Sequence, residues 1–192
     1  MLLPLLATRL GLPFLGASPI LPGLSDDKHL TKLEARTRGI PTAPWVIYRR
    51  GAPIDSSQCP RAERLVIKPN ASSASWGVRD ATDWNGTRRA IADIQAEGHD
   101  AIVEPFLNGS DIEVPVITCG GRPAILPMME FAQSDPCHLR TYQEKRDLVE
   151  QGAKYRMVPF NRGEWNATLA DYAQRLAGLF FRSIRAFRVS SQ

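Results

Sequence analysis

The chain has 192 residues, of which 43% are hydrophobic and 23% are charged, and this ordinary globular composition excludes a disordered or fibrous protein. Its net charge of +4 arises from 24 basic and 20 acidic residues scattered along the chain, so no nucleic-acid partner is expected. Three cysteines without a CxxC pair indicate neither a zinc ribbon nor a disulfide framework, which favours a reducing cytoplasm.

The first 23 residues are apolar and raise the question of a membrane anchor or a signal peptide. The segment lacks a basic start, and Arg9 interrupts it well short of the roughly 20 apolar residues that a membrane span needs. Four prolines also cut it, namely Pro4, Pro13, Pro19 and Pro22. We therefore predict neither secretion nor a membrane partner.

A helix is predicted to follow Ser25 and to end at Arg38. Ser25 is a favourable N-cap, and Leu30 and Leu33 are expected to form an apolar stripe. Gly39 then supplies a left-handed stop.

Beyond this helix, the hydrophobic pattern predicts strands at Trp45–Tyr48, Leu65–Lys68 and Ala101–Leu107. Residues Asn70–Gly77 are rich in Ser, Ala and Gly, which is typical of a flexible loop. Asp83–Glu97 is predicted to be a helix that ends at Gly98.

In the second half, a strand at Asp111–Thr118 is expected to enter a tight hairpin at Cys119–Arg122 and to return through Ala124–Phe131. Apolar residues at helical spacing predict an amphipathic helix over Glu164–Arg182. The segment that begins at Phe187 is predicted to start a further strand.

The common phosphate, zinc, hydrolase and dinucleotide signatures are absent from the sequence. Four other segments together resemble the D-alanine–D-alanine ligase family, whose members have the ATP-grasp fold. The segments follow one another in the same order as in that family. They are D-K-H-L-T-K at 27–32, G-I-P-T-A-P-W-V at 39–46, L-V-I-K-P-N-A-S-S-A-S-W-G-V at 65–78 and I-V-E-P-F-L-N-G-S-D-I-E-V at 102–114.

This resemblance implies an α+β protein of two α/β lobes with antiparallel sheets. Residues 1–23 would be a remnant of a preceding N-terminal α/β domain, residues 24–107 the small lobe, and residues 108–192 an incomplete large lobe. The family's final metal-binding strands would be missing, and Ser190 stands where the first metal-binding Asp would fall.

By the same resemblance, Lys28 and Lys68 would contact ATP phosphates, which suits a flexible ammonium group. Ser75 and Gly77 would cover the phosphates with a hydroxyl and a backbone N–H, and Ser75 and Lys145 would be the catalytic residues. A solvated helix lysine is the alternative for Lys28, and a plain surface loop is the alternative for Ser75 and Gly77.

Residues Glu104, Pro105, Phe106 and Leu107 would line the adenine edge, and Asp111 would accept the ribose hydroxyl groups. Backbone polar groups can pair with a base while apolar side chains pack on its faces. The alternative is an ordinary strand and turn.

Three positions depart from the family pattern or leave its alignment open. Lys145 most resembles a further phosphate lysine, but one residue of that run is deleted and the role could shift to Lys154. Ser72 and Ala74 replace a Glu and a Ser that help to bind the first amino acid, which puts specificity for D-alanine in doubt.

The resemblance implies an ATP-dependent carboxylate–amine ligase that forms an acyl phosphate and then a peptide bond, in cytoplasmic peptidoglycan (cell wall) biosynthesis. ATP and a small amino acid would be its partners, and a homodimer is left open. Magnesium is expected for the family, but no metal ligand is assigned in this chain, so the isolated chain is expected to be inactive. Two alternatives stay open, namely a non-catalytic nucleotide-binding module and an ATP-grasp ligase for another amino acid.

Overall fold

A computed structural model describes the chain over residues 2–12, 26–119, 122–133, 135, 137–139, 142–143 and 155–189. The chain forms two compact units. The first unit comprises Met1–Thr37, Pro41–Leu107 and Arg140–Asp147, and the second comprises Arg38–Ile40, Asn108–Leu139 and Leu148–Gln192.

The described elements of the first unit include a four-stranded antiparallel sheet and three α-helices. Its strands lie in the order β1-β4-β2-β3, so β4 and β2 form the centre of the sheet. In chain order the elements are α1 (Leu2–Arg9), α2 (Lys28–Thr37), β1 (Val46–Tyr48), a short 3-10 helix (Ser56–Gln58), β2 (Leu65–Pro69), β3 (Arg79–Ala81), α3 (Trp84–Ala96) and β4 (Ala101–Pro105).

The core of the first unit lies between this sheet and helix α3. Successive side chains of a strand point to opposite faces, so alternate residues of β2 and β4 pack against the helix. This core comprises Tyr48, Leu65, Ile67, Ala90, Ile91, Ile94, Ala101 and Val103. The other face of the same two strands is therefore available for polar side chains.

Helix α3 confirms the predicted helix and its end at Gly98. The carboxylate of Asp83 accepts a hydrogen bond from the backbone N–H of Gly86 at 2.6 Å, which satisfies a donor of the first turn. The chain leaves the helix at Gly98, whose φ of +92° is readily adopted by glycine.

Helix α2 is shorter than predicted, and its predicted apolar stripe is wrong. Leu30 and Leu33 are 44% and 40% exposed, whereas Ala35 is buried. Lys28 and Lys32 lie one turn apart, and both are half-buried. An i, i+4 lysine pair faces the protein because its charges have partners there, which a hydrophobic pattern does not reveal.

The described part of the second unit contains a three-stranded sheet, a two-stranded hairpin and one long helix. The hairpin confirms the predicted turn, since Cys119 pairs with Arg122. The sheet has the order β5-β8-β9 and is antiparallel. The elements are β5 (Asp111–Glu113), β6 (Val116–Cys119), β7 (Arg122–Ile125), β8 (Met129–Gln133), β9 (Tyr155–Pro159) and α4 (Gly163–Val189).

Each of the two long strands predicted here is split into two. Pro115 lies between β5 and β6, and Pro127 lies between β7 and β8. Proline has no N–H to donate to a strand ladder, so each break falls where pairing is interrupted. At the first break the carbonyl of Pro115 accepts from the N–H of Leu126 at 2.9 Å. Strand β9 was not predicted.

Helix α4 runs through Val189, so the strand predicted from Phe187 is wrong. No glycine or proline follows Gly178 before the end of the helix, and a short apolar run is compatible with either structure. Among the residues that the structure describes, no helix combines the length and apolar character that crossing a bilayer requires.

Replacement of Ile91 by Ala tests the assignment of the core. Ile91 is fully buried, so we expect the free energy of unfolding to fall by about 2–5 kcal/mol in a urea titration. The exposed Leu30 serves as the control, and Leu30→Ala should change that free energy by no more than about 0.5 kcal/mol. Equal effects of the two substitutions would contradict this core.

Candidate functional site

The register between β2 and β4 brings Lys68 and Glu104 together. Val66 lies opposite Glu104, and Lys68 lies opposite Ile102, so the lysine and the glutamate are diagonal neighbours on one face of the sheet. Their side chains form an ion pair between Nζ and Oε1, with 20% and 12% of the side chains exposed. This face is opposite to the one that packs on α3.

Lys32 on helix α2 supplies a second cation to the same carboxylate. Its Nζ lies 2.8 Å from Oε2 of Glu104, and it also donates to Oγ1 of Thr42 at 2.8 Å and to the carbonyl of Ala43 at 3.1 Å. Sequence reasoning gave Lys32 no role. The available signal was its position four residues after Lys28, which places both lysines on one helix face.

The carboxylate of Glu104 is held in its ionised form by these two lysines. Burial by itself raises the pKa of a carboxyl group. The ammonium of Lys68, followed by the contacts with Lys32, outweighs that effect and holds the pKa of Glu104 below its ordinary value. Glu104 therefore carries a negative charge between two positive ones at neutral pH.

Lys28 reaches from the first turn of α2 to the end of β2. Its Nζ donates to the carbonyl of Ser72 at 2.6 Å, to the carbonyl of Pro69 at 3.0 Å and to Oγ of Ser72 at 3.0 Å. The carbonyl of Asn70 lies 3.4 Å away. Lys28 is therefore half-buried and bonded to the protein, unlike the solvated lysine that was its alternative reading.

The segment from Asn70 to Gly77, here called the 70–77 loop, has a compact and unusual backbone. Ala74 and Ser75 adopt φ angles of 53° and 62°, in a region that side-chain-bearing residues seldom occupy. Two turns close within it, because the N–H of Trp76 donates to Ser73 O at 3.0 Å and the N–H of Val78 donates to Ser75 O at 3.2 Å.

Gly77 ends the 70–77 loop at a position where only glycine fits. Its φ is +70°, and a Cβ atom there would lie 2.7 Å from Cγ of Pro69. The loop therefore folds back directly onto the strand end that bears Lys68. The structure places Ser75 two residues earlier in the same loop, and the phosphate roles of Ser75 and Gly77 stay predictions.

The residues after Glu104 leave the sheet beside Arg64. Pro105 is the last paired residue of β4, and the N–H of Phe106 donates to the carbonyl of Arg64 at 2.9 Å. The guanidinium of Arg64 lies 4.2 Å from the centre of the Phe106 ring, a cation–π distance. Leu107 is 67% exposed. The adenine-lining roles of these residues stay predictions.

Other predicted site residues lie in the second unit or outside the described residues. Asp111 lies in β5 of the second unit. Lys145, the alternative Lys154, and Ser190 lie outside the described residues. Within the described ranges, no group of three or more His, Cys, Asp or Glu side chains could hold a metal ion.

Replacement of Glu104 by Gln tests the ion-pair cluster. It leaves Lys32 and Lys68 close together without the carboxylate, so we expect the free energy of unfolding at pH 7 to fall by about 3 kcal/mol. Because the pKa of Glu104 is lower in the folded chain, the stabilisation is full above about pH 4.5 and is lost as the pH falls further. Urea titrations should show native and variant stabilities converging as the pH falls below that value.

Asp80→Asn is the matched control for that substitution. Asp80 pairs with Arg64 at 2.6 Å in the same sheet, but its side chain is 39% exposed. Exposed pairs contribute little, so this control should lower the free energy of unfolding by less than about 1 kcal/mol. A Glu104→Gln effect no larger than that of Asp80→Asn would contradict the cluster's importance.

The chain is similar in sequence to D-alanine–D-alanine ligases. Residues 35–179 match the family model described as "D-ala D-ala ligase C-terminus". A D-alanine–D-alanine ligase from Polaromonas sp. is 28% identical over 130 residues, which is 66% of this chain and 38% of that protein. Over the first relatives matched, this chain spans less than two fifths of their length.

Two solved structures share the fold. D-alanyl-alanine synthetase A from Vibrio cholerae matches with a TM-score of 0.71 and 20% identity, over 91% of this chain and 53% of that one. A D-alanine–D-alanine ligase from Bacillus anthracis, solved as an ATP complex, matches with a TM-score of 0.65 and 17% identity, also over 91% and 53%. The α+β architecture with antiparallel sheets is therefore the ATP-grasp fold of these proteins.

Proposed function

Because the chain belongs to the D-alanine–D-alanine ligase family, through a match over residues 35–179, we propose that it holds ATP for a carboxylate–amine ligase. The observation that carries this proposal is the cluster at the end of β2 and β4. Lys32 and Lys68 flank the carboxylate of Glu104, so two ammonium groups face one carboxylate there. An excess of ammonium groups beside a glycine-closed loop fits a polyphosphate.

Within this proposal each predicted residue has a defined task. Lys68 binds phosphate oxygens, Lys145 is a further phosphate lysine and catalytic residue, and Ser75 and Gly77 cover the phosphates from the 70–77 loop. Residues 104–107 receive the adenine, and Asp111 binds the ribose. Residues 24–107 form the small lobe, residues 108–192 form part of the large lobe, and residues 1–23 belong to a preceding domain.

ATP, when bound, supplies the phosphoryl group that activates a substrate carboxylate toward an amine, and the product is a peptide bond. The residues of this chain hold and orient the phosphates and neutralise their charge, which is the main protein contribution in phosphoryl transfer. Magnesium is expected for such chemistry, and no cluster of three or more potential metal ligands occurs among the described residues, so no step is assigned to it here.

We propose D-alanine as the amino-acid substrate and the cytoplasmic supply of peptidoglycan precursors as the biological setting. One observation favours another amino acid, and it lies in the 70–77 loop. Ser72 and Ala74 stand where the family has residues that help to bind the first D-alanine, and the backbone and hydroxyl of Ser72 are already bonded to Lys28. A ligase for a different small amino acid is therefore the second candidate.

Isothermal titration with ATP tests the proposal. Lys68→Met removes a charged phosphate ligand, so we expect ATP affinity to fall by about tenfold or more. Arg88→Met removes an exposed cation from α3 and should leave that affinity unchanged. Absence of ATP binding by the native chain, or equal losses in the two variants, would contradict the proposal.

An assay of ADP release separates the candidate reactions. Release that depends on D-alanine supports the first candidate, and release that depends on another amino acid supports the second. ATP binding with no release for any amino acid supports the remaining alternative, a non-catalytic nucleotide-binding module.

A further inference from the structure

The side chain of Lys28 has no donor left for a ligand in this arrangement. An ammonium group carries three protons. Three acceptors lie within 3.0 Å of Nζ, namely the carbonyl oxygens of Pro69 and Ser72 and the hydroxyl oxygen of Ser72. All three belong to the end of β2 and to the 70–77 loop, so the donors of Lys28 are used within the protein.

The backbone fastens the start of this loop independently of the Lys28 side chain. The N–H of Lys28 donates to the carbonyl of Asn70 at 3.0 Å, and the N–H of His29 donates to Oδ1 of Asn70 at 2.9 Å. Asn70 is only 4% exposed. These bonds come from backbone N–H groups, so they do not depend on the side chain at position 28. The contribution of the ammonium is its contact with Ser72, beyond Asn70.

The far end of the loop has its own attachment. The ring of Trp76 meets the ring of His99 edge-on, with 5.2 Å between centroids. Between the two attachments lie Ala74 and Ser75, whose positive φ angles each carry a conformational cost of about 1 kcal/mol or more. A segment with such a backbone keeps its shape only while both ends are held.

We propose that Lys28 is a positioning residue, whose ammonium holds the 70–77 loop in its folded course through Ser72 instead of binding phosphate directly. The proposal rests on the proposed function only in assigning the loop to phosphate. The attachment itself is a property of the nucleotide-free chain, and Trp76, four residues beyond Ser72, reports on it.

The charge of Lys28 provides a readout that a purely steric role would not change. Burial, and next the neighbouring ammonium of Lys68 on β2, lower the pKa of Lys28 from 10.5 to about 8. Three carboxylates oppose this shift, those of Asp26 and Asp27 just before α2 and that of Glu104 on β4. Above pH 8 the side chain loses one proton and its charge, so one of its three hydrogen bonds to the strand end and the loop is lost.

The same loss of a proton acts in the opposite direction on the free energy of unfolding. A change at the loop can therefore be told apart from unfolding of the chain. The unfolded chain keeps the Lys28 proton up to a pKa near 10.5, whereas the folded chain loses it near 8. Between these values the unfolded state binds more protons, so the contribution of Lys28 to the free energy of unfolding rises with pH. A local change at the 70–77 loop above pH 8 is therefore not a sign of general unfolding.

The test uses the full chain labelled with 5-fluorotryptophan, without nucleotide. Its four tryptophans give four fluorine signals, and Trp76→Phe identifies the signal of the loop. In the native chain we expect the Trp76 signal to shift with a midpoint near pH 8, as the pKa of Lys28 requires. The same titration in His99→Gln should keep that midpoint. This control separates the effect of Lys28 from any effect of the histidine that meets the Trp76 ring.

Substitutions at position 28 complete the test at pH 7. Lys28→Met should displace the Trp76 signal by more than its linewidth and abolish the titration. Lys28→Arg should retain the native signal without the titration near pH 8, because a guanidinium stays charged. Arg36→Met, an exposed cation of the same helix, should move the signal of its neighbour Trp45 and leave that of Trp76 in place.

A Trp76 signal that is unchanged in Lys28→Met, or that shows no native titration near pH 8, would overturn the proposal. Neither result depends on ATP. A chain that shows the predicted Trp76 behaviour but binds no ATP would contradict the proposed function alone, so the two failures are distinguishable.

Discussion

The antiparallel register between β2 and β4 is the constraint on which the rest of the first unit depends. One face of this pair supplies Ile67 and Val103 to the core beneath α3, and the other face carries Lys68 and Glu104. A shift of one residue would exchange the two faces, burying charges against α3 and exposing the core. Packing of the core therefore also fixes the geometry of the candidate site.

The polar face is stable because its charges are paired by elements distant in the sequence. Glu104 lies between Lys68 of the neighbouring strand and Lys32 of α2, while Lys28 bonds to the loop that follows Lys68. Removal of one partner would leave a charge in a site with little solvent. The same contacts that stabilise the fold thus gather positive charge beside a loop closed by Gly77, which suits a phosphate-bearing ligand.

Local signals in the sequence predicted β2, α3, β4 and the hairpin at Cys119, because each has a regular pattern bounded by clear caps or turns. The contacts of Lys28 and Lys32 were not predictable in this way, since their partners lie tens of residues away. The strand expected at Phe187 failed for another reason: a short apolar run does not distinguish strand from helix. The family resemblance supplied site residues, but it did not reveal that the donors of Lys28 are bonded to the loop.

Photoaffinity labelling with 8-azido-ATP tests most directly whether the end of β4 receives the base. The reagent carries its reactive group on the purine, so it labels residues that contact adenine. We predict label on the tryptic peptide of residues 90–140, within residues 104–107, and loss of that label when unmodified ATP competes. Label confined to other peptides, or label that ATP does not displace, would contradict a nucleotide site built on the β2–β4 register.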